Sequence, residues 1–210
     1  VDSIIVGQYN GKEALAAIGA AGPIMNILIF LIVGLSLGAS ILMSEYFGAK
    51  DYKALKTEMA TSLVSGFILT IVLSLLAFTG SGLFIRMTRT PLEIAPMASQ
   101  YLKIISLGLI FTFFYNILSA GLRSIGDSRA PLYVLCLTTI LHVLLAVYMV
   151  GTLHMGVQGA AYATVISQAV SSLMLFIYIK VKVPYLRLSL PELHIDMDFL
   201  KKTVDFSSIS

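Results

Sequence analysis

Five stretches of about 20 residues in this chain carry almost no charge, and that recurrence decides what it can fold into. They run roughly over 22–47, 59–84, 104–122, 131–153 and 156–179. A helix crossing the hydrocarbon core of a bilayer needs about 20 consecutive, mostly apolar residues. The chain is 58% hydrophobic and 12% charged, about half the charged share of an ordinary soluble domain. A water-soluble core of 210 residues does not need so much apolar surface. The expected fold class is therefore an all-α, multi-pass integral membrane protein. The opening stretch "VDSIIVGQYNG" extends the pattern: residues 1–9 read as half of a further helix cut in the middle. Residues 1–179 are thus expected to form a six-span lobe with a truncated first helix, part of a longer protein.

Charge between the spans sets an orientation. Lys50, Lys53, Lys56, Arg123, Arg129, Lys180, Lys182 and Arg187 fall in one set of loops; Lys12, Arg86 and Arg89 fall in the other, with Lys103 at a helix edge. Positive residues favour the cytoplasmic side, which puts the first set on the cytoplasmic face of a cell membrane. Pro23 and Pro131 are expected at helix starts, where a missing N–H costs least. "GTLHMGVQG" separates the last two spans with a tight turn. Residues 180–210 then form a cytoplasmic linker. Leu193, Met197, Leu200 and Val204 recur there near helical spacing. The tail is either an amphipathic helix on the inner surface leading to another span, or a plain polar linker. Gly34 with Gly38, and Gly156 with Ala160 and Thr164, are small residues at four-residue intervals that let helix backbones approach.

Several function classes are excluded. There are no Lys/Arg blocks for nucleic acid, no cysteine–histidine metal spacing and no phosphate-binding G-x-x-x-x-G-K loop, so no cofactor is expected. The single cysteine, Cys136, rules out an internal disulfide. "GLSLG" (34–38) matches G-x-S-x-G and, with a histidine on another span, raises an intramembrane serine protease. A nucleophile elbow needs a sharp strand-to-helix turn, whereas Ser36 stands in an unbroken apolar run.

Ionisable groups inside a membrane are expensive and mark functional sites. His142 stands in the middle of "LTTILHVLLAVYMV". Asp2 lies about seven residues from the outer end of its helix, roughly 10 Å, and Thr164 lies at comparable depth. Glu45 reads as an interfacial residue pairing with Lys50 or a headgroup. Asn116 and Gln168 read as helix–helix hydrogen bonds.

"VDSIIVGQYNGKEALAAIG", "GLSLGASILMSEYFGAKDY", "YNILSAGLRSIGDSRAPLYV" and "GVQGAAYATVISQ" together resemble, in order and spacing, the N-terminal half of the multidrug and toxic compound extrusion (MATE) family. The "LRSIGDSRAP" loop and the "GAAYATVISQ" helix are the most specific pieces. The resemblance implies twelve spans in two pseudo-symmetric lobes, with this chain supplying the first. It also implies a secondary antiporter that expels small organic, often cationic, compounds in exchange for inward H+ or Na+, without nucleotide hydrolysis. Many members carry a cation cluster in this lobe: an aspartate on the first span, an asparagine and an aspartate one turn apart on the fifth, and a threonine on the sixth. Asp2 and Thr164 match its ends. The fifth-span pair falls on His142 and Ala146, so one position has an imidazole and the other a methyl group. Neither supplies the hard oxygen that Na+ prefers, whereas a proton needs less. Two readings stay open: Asp2 and His142 form a proton-responsive pair, or His142 is structural and coupling lies in the second lobe. A related flippase of lipid-linked sugars is the alternative function. Its phosphate substrates call for a strongly charged cavity, and these spans carry almost no arginine or lysine.

Overall fold

The structure, a computed structural model, describes residues 2–209, with the side chains of residues 190, 208 and 209 left aside. Among the described residues all regular secondary structure is helical. The helices are α1 (Asp2–Gly48), α2 (Tyr52–Met87), α3 (Ala95–Ser124), α4 (Arg129–Ala146), α5 (Gly156–Lys182) and α6 (Met197–Ile209). A π-helical segment, Val147–Thr152, continues α4. Five of the helices, α4 taken with its π segment, are long and apolar enough to span a membrane. The 36 residues of α2 extend about 54 Å, well beyond a hydrocarbon core of about 30 Å.

α1 is two helices meeting at Gly11, whose φ of 81° and ψ of −172° break the helix. Only glycine takes such a conformation without strain. The helix resumes at once, because "KEALAAIGAA" (12–21) is rich in strong helix formers. Pro23 therefore falls inside a helix rather than at its start. It deprives the carbonyl one turn earlier of its donor, which favours a bend. Pro131 does lie in the first turn of α4. The turn before α5 bends through His154 (φ 53°) and Gly156 (φ 57°).

The chain divides into two compact units. The first comprises residues 2–29, 71–110 and 136–170, and its core is rich in small side chains such as Ala17, Ala21, Ala146, Ala160 and Ala163, set among larger ones such as Ile85, Leu102 and Leu109. Such residues allow close backbone approach. A methyl group at Gly108, for example, would come within 2.6 Å of Val165. The second comprises residues 30–70, 111–135 and 171–209. Its core uses larger side chains, among them Ile32, Leu42, Met43, Met59, Phe113 and Leu175. In both units big apolar side chains point outward as well: Ile27, Leu75, Leu83, Ile140 and Leu144 in the first, Phe30, Leu132 and Leu173 in the second. Lipid, not water, is the solvent that such a surface suits.

The tail forms a helix, α6, and most of the apolar residues at helical spacing there lie on its outer side. Met197 and Val204 are exposed, as is Leu193 before the helix, whereas Thr203 is fully buried and Phe199, Leu200 and Ser207 are half-buried. Gly38 lies where α6 approaches α1: a side chain there would strike Ser207 and the Thr203 carbonyl. Gly34 meets nothing comparable.

Candidate functional site

The first unit brings Asp2, His142 and Thr164 together from α1, α4 and α5. Oδ1 of Asp2 lies 2.8 Å from Nε2 of His142, and the two side chains are only 14% and 17% exposed. The Thr164 hydroxyl donates to Oδ2 of Asp2 at 2.8 Å. The same hydroxyl oxygen stands 3.2 Å from Nε2 of His142 and 3.1 Å from the Ala160 carbonyl one turn back. Asp2 Oδ1 has no other hydrogen-bond partner among the described residues. The 2.8 Å contact is therefore a hydrogen bond only when Nε2 carries a hydrogen, either in the neutral tautomer bearing it or in the imidazolium.

A fourth member comes from α3. The Tyr101 hydroxyl donates to Asp2 Oδ2 at 3.3 Å, and Tyr101 is itself buried. Nothing in its sequence context separates it from the other aromatic residues along the spans. Ala146 is fully buried at the end of α4 and contributes no polar atom. The cluster thus has one carboxylate, one imidazole and two hydroxyls. Chemically it can hold, share and release a proton within an otherwise apolar surrounding. Its hard-oxygen ligands are the carboxylate and the two hydroxyls alone, and among the described residues no three His, Cys, Asp or Glu side chains gather into a metal site.

The remaining polar candidates lie elsewhere. Glu45 and Asn26 are exposed. No ion pair joins Glu45 to Lys50 among the described residues; the pairs there are His142–Asp2 and Lys56–Glu192. Asn116 donates to the Thr112 carbonyl of its own helix, not to a neighbouring helix. Ser36 donates to the Ile32 carbonyl one turn back, at 2.9 Å. It is a helical residue in mid-span, and "GLSLG" forms no elbow. In the "LRSIGDSRAP" turn, Asp127 does the positioning: Oδ1 accepts from the Ala130 N–H at the start of α4, and Oδ2 accepts from the Tyr178 hydroxyl at 2.8 Å. Arg123 and Arg129 are exposed.

The second unit holds a buried acid that sequence reading missed. Glu58 is fully buried near the start of α2. Its Oε1 accepts from Ser62 and Thr203, each at 2.7 Å. In sequence it sits just after Lys53 and Lys56, at the edge of an apolar run, where a glutamate reads as an interfacial residue.

Comparison with known proteins follows the same lines. The MatE family model matches residues 1–148. The chain is 33% identical over 187 residues to "Probable multidrug resistance protein YpnP" of Bacillus subtilis (strain 168), covering 88% of this chain and 42% of that protein. It is 32% identical over 184 residues to "Probable multidrug resistance protein YoeA" of the same organism, covering 86% and 40%. Among solved structures it is similar to "Crystal structure of MATE in the bent conformation", with a TM-score of 0.93 and 27% identity, covering 99% of this chain and 46% of that one. The chain thus spans less than half the length of the proteins it matches.

Proposed function

Since the chain belongs to the MATE family of multidrug efflux transporters, we propose that it is the N-terminal lobe of an antiporter that exports small organic cations in exchange for inward protons. Residues 1–179 are the lobe, and residues 180–210 are a cytoplasmic linker toward a second six-span lobe. The lobes rock about a central cavity and expose it to each side of the membrane in turn. Proton entry supplies the work, about 2.3 kcal/mol per charge for each 100 mV crossed.

The observation that supports this reading best is the enclosed Asp2–His142–Thr164 cluster, with its 2.8 Å contacts. A carboxylate and an imidazole in contact titrate as one coupled unit. One proton entering the pair leaves it with a positive imidazolium balanced by a carboxylate, and a second neutralises the acid. Each step changes what Asp2 can ask of Thr164 and Tyr101, and through them of α5 and α3. Proton rather than Na+ coupling follows from the ligand set, because the imidazole nitrogen and the methyl of Ala146 stand where oxygens would be needed.

The test uses the full-length protein in proteoliposomes with a fluorescent organic cation inside. An imposed pH gradient drives exchange and a Na+ gradient alone does not. His142→Asn flattens the dependence of the rate on pH. A variant with the parent's pH profile, or exchange driven equally by Na+, overturns the reading.

A further inference from the structure

We propose that Glu58 is a second proton-binding site, and that its proton fastens α6 to α2. The carboxyl group is fully buried. Both of its hydroxyl donors, Ser62 and Thr203, point at the same oxygen, Oε1. The other oxygen, Oε2, is buried without a partner among the described residues. An ionised carboxylate would leave charge on a buried oxygen that no donor among the described residues reaches, a costly arrangement in a protein interior. A hydrogen on Oε2 removes that charge and leaves Oε1 free to accept from both hydroxyls. The charged group whose field reaches Glu58 is Lys202, on α6, yet no ion pair joins them among the described residues.

The same contact anchors α6. Thr203 is its fully buried residue; Met197 and Val204 are exposed, while the half-buried Phe199 lies against Tyr46 of α1, ring centroids 5.5 Å apart. Polar, close-fitting contacts stand beside that apolar one. Thr203 reaches Glu58, the Asp196 N–H donates to the Thr61 hydroxyl at 3.1 Å, and Gly38 leaves room for Ser207. Thr203 also has a ready alternative, since its hydroxyl lies 2.9 Å from the Phe199 carbonyl of its own helix. The docked state of α6 binds the proton, so docking weakens as pH rises.

The test is made on the full-length protein in liposomes, with its native cysteines replaced and Ser207→Cys as the reporter. Maleimide labelling of that cysteine reads the release of α6, with every rate taken relative to that of the exposed Lys201→Cys at the same pH, which cancels the thiolate's own pH dependence. In the parent the docking equilibrium, and with it the labelling rate, shifts about tenfold per pH unit across the titration. Glu58→Gln, permanently neutral, labels slowly and equally at every pH. Thr203→Val labels fast throughout. A pH slope retained in Glu58→Gln, or no slope in the parent, overturns the proposal. Infrared titration of the Asp2→Asn protein gives a readout that needs no change at Glu58. A protonated-carboxyl carbonyl band fades over the pH range in which labelling accelerates; absence of the band at neutral pH also overturns the proposal. Neither readout requires transport, so their failure and the failure of proton-driven export are separate results.

Discussion

Two enclosed acids, one in each compact unit, show how neighbours rather than depth give a carboxyl group its character. Asp2 and Glu58 are both withdrawn from solvent, and each accepts from two hydroxyls. Asp2 also touches a base, His142, and its two oxygens are engaged by different partners. Glu58 touches no base, and one of its oxygens is idle. The first arrangement gives each carboxyl oxygen a partner and places a base where it can take the first proton, so the pair can pass between protonation states. The second is comfortable in one state only. A base at contact distance makes an acid a reversible device; without one, the acid becomes a fastener.

The strongest way to break this contrast is to remove each acid in turn. Asp2→Ala brings pH-gradient-driven export down to the level of empty liposomes while the lobe still folds, because the imidazole left behind can go neutral. Glu58→Ala retains the pH dependence of export, since its hydroxyl donors can turn to carbonyls of their own helices. Export assays on both variants, with thermal unfolding alongside, check the pair. If Asp2→Ala still exports, the device reading of the first unit fails.

Packing differs between the units too, and glycine substitutions sharpen that difference. A methyl group at Gly66 would press on Phe113 and on Leu35, 2.9 Å away, in the large-residue core of the second unit. Gly66→Ala is expected to destabilise by about 1–3 kcal/mol through overpacking, read as a lower thermal midpoint in detergent. Gly108→Ala meets the branched side chain of Val165 in the alanine-rich unit. Its cost is at the same scale, because a β-branched residue on a helix has little rotamer freedom with which to yield.

Smaller effects test the outer members of each cluster. The Tyr101 hydrogen bond is long, at 3.3 Å, so Tyr101→Phe is expected to cost about 0.5–1.5 kcal/mol and to move the pH midpoint of export only slightly. At the surface of the second unit, Glu192 is held below the usual carboxylate range by the Ser189 N–H and hydroxyl, with Lys56 at 3.5 Å. A lowered pKa contributes stability above the ordinary carboxylate range and loses it as pH falls below that range. Solvent screening makes this the smallest effect of the series. Lys56→Ala is expected to leave the thermal midpoint at neutral pH unchanged within error.

The membrane-spanning helices were legible in the sequence because lipid demands long uncharged runs, and Asp2 and His142 stood out within them. Thr164 was legible by its depth and its place in a small-residue spacing, while its link to Asp2 came from the family resemblance. Tyr101 was invisible because spans are full of aromatic residues. Glu58 was hidden by its neighbours, two lysines that make the start of α2 look like an interface. The end of the first half-helix near residue 9 was readable, but the immediate return to helix after Gly11 required weighing the alanines and leucine that follow against the polar residues beside them. The apolar spacing of the tail found one face of α6; the opposite face, which docks through one threonine and a facing glycine, was not legible.

Thr164 owns a single hydrogen and stands within reach of two acceptors, the Asp2 carboxyl and the Ala160 carbonyl. It can satisfy only one at a time. When Asp2 is negative the hydrogen belongs to it; once Asp2 is neutral, the backbone of α5 becomes the better claimant. On the proton-coupled reading proposed above, the threonine keeps a record of whether the acid is occupied and writes it into the turn of the helix on which it rides.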